Sequence, residues 1–119
     1  MIPAGVEVFV ALTPIDLRYG FDRLAGLVED QLGRSARSGA LFVFYGKRKT
    51  ALKVLYHDGS GMCLFYKRAD SGTFTVPPAP HADAVSMELT ERELDDLLDR
   101  IIVEVEATPR RRERWGRIH

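Results

Sequence analysis

From Ala40 to Pro77 the chain is a succession of short apolar runs, each ended by a break that carries glycine: LFVFY, GKRKT, ALKVLYH, DGSG, MCLFYKR, ADSG, TFTV. Runs of this length, rich in β-branched and aromatic residues and bounded by Gly and Asp, read as strands joined by tight turns. The spacing predicts strands over 41–45, 51–57, 62–68 and 73–76, with Pro77 ending the last. If Asp58-Gly59-Ser60-Gly61 closes a hairpin, parity assigns the faces. Lys53, Leu55, His57, Met62, Leu64, Tyr66 and Arg68 then share one face, and Leu52, Val54, Tyr56, Cys63, Phe65 and Lys67 the other. Both faces are largely apolar, so the hairpin is expected either to be central in its sheet or to be covered on one face by a helix.

The flanks supply that helix. Val6 to Leu12 has the alternation of a first strand. Thr13-Pro14-Ile15-Asp16 has the composition of a helix start, with Thr13 as cap, Pro14 at the first helical position and Asp16 reaching back. From there Leu17, Phe21, Leu24, Leu27, Val28 and Leu32 recur at helical spacing, predicting one long helix that stops at Gly33. Gly20 and Gly26 inside it suggest close approach by another element. After the stiff Pro77-Pro78-Ala79-Pro80 connector, Thr90-Glu91-Arg92-Glu93 is a second capping box. Leu94, Leu97, Leu98, Ile101 and Val105 follow at helical spacing. The expected fold is α+β: a mostly antiparallel sheet of about five strands, one long N-terminal helix packed on it, and a C-terminal helix. Residues 1–106 form a single domain, and 107–119 an arginine-rich tail.

Zero net charge conceals strong segregation. Between Ala40 and Ala69 the chain carries Lys47, Arg48, Lys49, Lys53, Lys67 and Arg68 against Asp58 alone. Residues 88–106 are acidic, and the tail holds Arg110, Arg111, Arg112, Arg114 and Arg117. Local fields of both signs are therefore expected. The six mid-chain cations, interleaved with Tyr45, Tyr56 and Tyr66, are the candidate nucleic-acid-binding residues. Lys and Arg bind phosphates by displacing counterions, and Tyr stacks on bases. The competing reading is a solvated hairpin tip and edge lysines that keep sheets apart.

Other chemistry is sparse. His57-Asp58 is the one acid–base neighbourhood of the meander, but strand neighbours point oppositely and Asp58 is an ordinary turn residue. A nuclease needs several carboxylates around a metal, and residues 40–69 offer one. Cys63 is the single cysteine, so neither an internal disulfide nor a cysteine metal site is available. Arg18 and Asp22 are four apart, which suits an ion pair on one helix face. No cofactor or metal is implied. Nothing in the N-terminal residues reads as a signal peptide and no apolar run is long enough to span a bilayer, so a cytoplasmic, non-membrane protein is expected.

Three stretches together resemble a known family. They are Asp16-Leu17-Arg18-Tyr19-Gly20-Phe21-Asp22; Leu41-Phe42-Val43-Phe44 with Lys47-Arg48 and Lys53-Val54-Leu55-Tyr56; and Asp58-Gly59-Ser60-Gly61 with Cys63-Leu64-Phe65, Lys67-Arg68 and Phe74. The chain resembles the small accessory protein, TnpB or the second reading frame, of insertion-sequence-66 type transposons. Val76 stands where that family usually has Trp, and nothing beyond Arg100 is carried over. The resemblance implies a role in transposition beside a separate transposase, with that transposase as a partner, and the sparse acid–base chemistry makes a non-catalytic role the expected one. Two readings of the role follow: DNA held through the basic hairpin surface to help assemble the transposition complex, or a protein–protein adaptor that meets the transposase through the acidic C-terminal helix. A homo-oligomer is compatible with both.

Overall fold

A computed structural model of the chain describes residues 5–99 and the backbone of 101–102. Its centre is a five-stranded sheet built of β1 (Val8–Ala11), β2 (Leu41–Tyr45), β3 (Ala51–His57), β4 (Met62–Arg68) and β6 (Ser86–Leu89), in the order β4-β3-β2-β1-β6. β5 (Thr73–Phe74) pairs apart from it with β7 (Ile101–Ile102). The helices are α1 (Phe21–Asp30) and α2 (Glu91–Asp99).

The β2-β3-β4 meander forms as its turn residues dictate. The register pairs His57 with Met62 and Ala51 with Arg68, so the two side-chain sets are those expected from parity. The hairpin is not central, however. β4 is the outermost strand, and α1 packs against the Leu55 and Leu64 face.

β1 is parallel to β2 and antiparallel to β6, which leaves the sheet mostly antiparallel. Parallel neighbours need a long crossover, and α1 supplies it. β1 is buried along its whole length, because helices cover both faces of the sheet. Phe9, Ala11, Phe42, Phe44 and Leu55 meet Leu24 and Val28 of α1 on one side. Val8, Val10, Val43, Leu52 and Val54 meet Leu94, Leu97 and Leu98 of α2 on the other.

The N-terminal helix is short, and its expected start at Thr13 is not observed. The Ile15 amide donates to the Tyr45 carbonyl at 2.9 Å, and Ile15 bridges Gly46, so this stretch extends the sheet instead of coiling. Asp16 reaches forward: its Oδ1 accepts from the Arg18 amide at 2.9 Å. Leu17 lies against Gly46, where a Cβ would stand 2.6 Å from its Cδ1. Gly20 caps the helix from an extended conformation. A Cβ at Gly20 or Gly26 would meet nothing within 4 Å, so neither glycine marks a close approach. The helix ends at Asp30 with Gln31 as its C-cap, short of the expected stop, and Gly33 follows in a left-handed conformation (φ +66°), with the Arg34 amide on the Val28 carbonyl.

Two further expectations are corrected. The fifth strand of the main sheet is β6, which pairs with β1 across a long sequence separation, and not the 73–76 stretch. The C-terminal helix ends at Asp99, and Ile101 lies not in it but in β7, which pairs with β5. The start of that helix is as the sequence reads: the Glu93 amide donates to Thr90 Oγ1 at 3.0 Å, and the Thr90 amide to Glu93 Oε1 at 2.9 Å. Val105 and the tail lie outside the described residues. Among the described residues, no helix is long and apolar enough to cross a membrane.

Candidate nucleic-acid interface

β3 is bounded by two turns that carry most of the polar chemistry of the meander. At its N-terminal end, Gly46 to Thr50 forms the basic tip. The Lys49 amide donates to the Gly46 carbonyl at 2.9 Å, and the Gly46 amide to the Ala51 carbonyl at 3.3 Å. The segment after β4 braces the tip: the Ala69 amide donates to the Thr50 carbonyl and the Phe74 amide to the Lys49 carbonyl, both at 2.8 Å. The backbone is thus fixed while Lys47, Arg48 and Lys49 are all exposed. Lys49 sits at φ +57°, alone among the described non-glycine residues in being left-handed. That conformation costs an L-residue with a β-carbon about 1–2 kcal/mol, and such costs collect at functional sites.

The six candidate cations are not one surface. Arg68 pairs in register with Ala51, is exposed, and stands beside the tip. Lys53 instead donates from Nζ to the Tyr19 carbonyl at 2.8 Å, with Nζ 5.4 Å from the centre of the Tyr66 ring. Lys67 is on the opposite face and donates from Nζ to the Leu98 carbonyl at 2.7 Å. This caps the C-terminal end of α2, whose last turn holds no basic residue of its own. Among the described residues, Lys47, Arg48, Lys49 and Arg68 make no side-chain hydrogen bond or ion pair.

The tyrosines divide too. Tyr45 is buried, its hydroxyl donates to the Leu12 carbonyl at 2.8 Å, and burial raises its pKa. Tyr56 is half-buried on the α2 side, where burial again raises the pKa. Tyr66 alone presents an open ring, 48% exposed.

Arg18 also lies near the tip, because its loop crosses Gly46. Its guanidinium is committed to Asp16, with Nη2 2.6 Å from Oδ2, rather than to Asp22 as the helical spacing suggested. That side-chain hydrogen bond, followed by the one from the Arg18 amide, lowers the Asp16 pKa to about 2. Arg23 stacks on Tyr19, with its guanidinium carbon 4.5 Å from the ring centre. No signal in the sequence marked the Arg18–Asp16 clasp, since a helix would have directed these side chains elsewhere.

The turn at the other end of β3 is self-contained. Asp58 Oδ1 accepts from the Ser60 amide at 2.9 Å, the Gly61 amide at 2.9 Å and the Ser60 hydroxyl at 3.0 Å. The backbone bonds from Ser60 and Gly61 are the main cause of its depressed pKa of about 2. His57 Nδ1 accepts from the Gly59 amide at 3.2 Å. Both groups of the candidate acid–base pair are therefore occupied in closing the hairpin. Among the described residues, no group of three or more His, Cys, Asp or Glu side chains could hold a metal ion.

Comparison with known proteins adds a family to this geometry. Two proteins of Sinorhizobium fredii (strain NBRC 101917 / NGR234) are similar, and both are described as uncharacterized. y4hO is 44% identical over 81 residues, which cover 66% of this chain and 70% of that protein. y4jC is 42% identical over 74 residues, which cover 62% and 63%. No solved structure matches the chain. The family described as IS66 Orf2-like protein matches residues 6–107, from just before β1 to beyond β7. With nearly the whole described fold inside that match, the chain belongs to the IS66 Orf2-like family, the accessory proteins associated with transposition of insertion sequences of this type.

Proposed function

We propose that this protein is a non-catalytic accessory factor that holds DNA at the end of its sheet formed by Lys47, Arg48, Lys49 and Arg68, and so helps to assemble a transposition complex. One observation carries the reading. These four cations have no partner among the described residues, and three of them ride on a loop whose carbonyls are pinned from behind. A pre-fixed backbone with free ammonium and guanidinium groups loses little entropy on meeting a phosphate. Contacts of this kind position a protein on DNA without reading its sequence. The non-catalytic part rests on His57 and Asp58 being spent on their own turn.

The test is a fluorescence-anisotropy titration of the purified chain against duplex, single-stranded and element-end DNA across a salt series. Four phosphate contacts predict a slope of about −3.6 in log K against log salt for duplex. Salt-insensitive binding, or none, to all three forms removes the proposal.

A specific observation supports an adaptor role as the second reading. α2 spends Leu94, Leu97 and Leu98 on its own sheet, which leaves Asp95, Asp96 and Asp99 exposed along its outer face. A transposase partner there would need a basic surface, and binding would be lost with Asp95→Asn and Asp96→Asn.

A further inference from the structure

We propose that the outer edge of β4 is a homodimer interface, in which the β4 strands of two copies pair antiparallel about Phe65. The proposal does not depend on DNA binding. It begins with the hydrogen bonds of the meander. The Ala69 amide bonds back to Thr50 and the Gly61 carbonyl to the Asp58 amide, so the odd-numbered residues of this strand turn their backbone groups toward β3. By alternation, the amides and carbonyls of Met62, Leu64, Tyr66 and Arg68 point outward. Among the described residues nothing pairs with them.

The two edges of the sheet are unlike. β6 is short, and α2 follows directly from it and packs beside it. β4 is seven residues long and pairs with β3 without a bulge. Proteins usually guard such an edge with proline, a bulge or lysine. β4 has no proline, and Lys67 is drawn away to the Leu98 carbonyl. Phe65 and Tyr66, 37% and 48% exposed, stand at its middle.

The register follows. Setting Leu64 opposite Tyr66 of the second copy, and Met62 opposite Arg68, uses every outward group of both strands. Phe65 then faces its own counterpart at the dyad, in the close, non-hydrogen-bonded type of pair. A cavity of about 380 Å³ lies on the same face, lined by Leu41, Val54, Tyr56, Phe65, Leu94 and Leu98, and gives the two rings apolar surroundings. Charge selects the antiparallel sense. It carries Lys67 and Arg68 of each copy toward the other's Asp58–Gly61 turn, whereas parallel pairing would oppose like charges.

Sedimentation of the full chain over a concentration series tests this, with circular dichroism confirming that each variant is folded. The native chain is expected to show a monomer–dimer equilibrium. Phe65→Lys and Phe65→Glu each place like charges across the dyad and should weaken dimerisation by at least about tenfold. An equimolar mixture of the two should restore a heterodimer. Amide exchange at Leu64 and Tyr66 should slow as concentration rises. A native chain that is monomeric throughout, or a Phe65→Lys variant that dimerises normally, overturns the proposal. So does concentration-independent protection of those amides, which would mean that the chain's own residues cover the edge, or protection seen only with added transposase.

Discussion

The two turns that bound β3 differ in where their polar groups go. In Asp58–Gly61 the carboxylate, the hydroxyl and the imidazole of His57 all bond within the turn. In Gly46–Thr50 the backbone bonds are made within the loop and to neighbouring segments, and the charged side chains are left over. The first turn is architecture built from side chains. The second is architecture built from main chain, with side chains free for a partner. A charge in a loop is informative only once its internal uses are known.

The comparison can be broken most severely at the tip itself. Lys47→Ala, Arg48→Ala and Lys49→Ala combined should reduce the salt slope of DNA binding by about three units, with the thermal midpoint nearly unchanged. An unaltered slope would put the tip in the same class as the Asp58 turn. The converse test is Asp58→Ala, which should lower the midpoint and leave DNA affinity intact. Its pH signature is specific. The Asp58 pKa is held at about 2 against an ordinary 3.8, so the stability it contributes is complete above the ordinary value and is lost as pH falls through about 2. The gap in stability between the native and Asp58→Ala proteins should therefore be full at neutral pH and close as pH falls through that window.

Lys67 sharpens the distinction within the cationic set. Lys67→Met should cost about 1 kcal/mol by uncapping α2, measured by denaturant unfolding, without weakening DNA binding. Lys49 gives the smallest and most discriminating effect. Lys49→Gly relieves the left-handed backbone and should stabilise the fold by up to about 1 kcal/mol, while the salt slope drops by about one unit. A variant more stable yet poorer at binding would show that the lysine is kept for its charge. Loss of both properties would show that it is kept for the loop.

The sequence was legible where structure is local. The meander register and the Thr90–Glu93 capping box depend on a few adjacent residues. It failed where a distant segment decided the outcome. Thr13-Pro14-Ile15-Asp16 has helix-start composition, yet the Tyr45 carbonyl and the bare Gly46 hold it as an extension of the sheet. Ser86–Leu89 is too short and polar to announce a strand, and only the facing edge of β1 makes it one. Among the candidate site residues, Lys47, Arg48, Lys49 and Arg68 remain together. Lys53 and Lys67 could not be told apart from them, since their partners are the main-chain carbonyls of Tyr19 and Leu98. Tyr45 was likewise misread, because its hydroxyl meets a carbonyl 33 residues away.

The small β5–β7 pair has a consequence for reach. It sets Ile102 beside Thr73, and the next residue, Phe74, is bonded to the Lys49 carbonyl of the tip. The chain therefore passes Ile102 within two hydrogen-bonded steps of the basic loop. Arg110 follows eight residues later, so whatever its conformation it is leashed within about 28 Å of that point. A nucleic acid gripped by Lys47–Lys49 would meet five further arginines as an intramolecular event, at the high effective concentration a short tether confers.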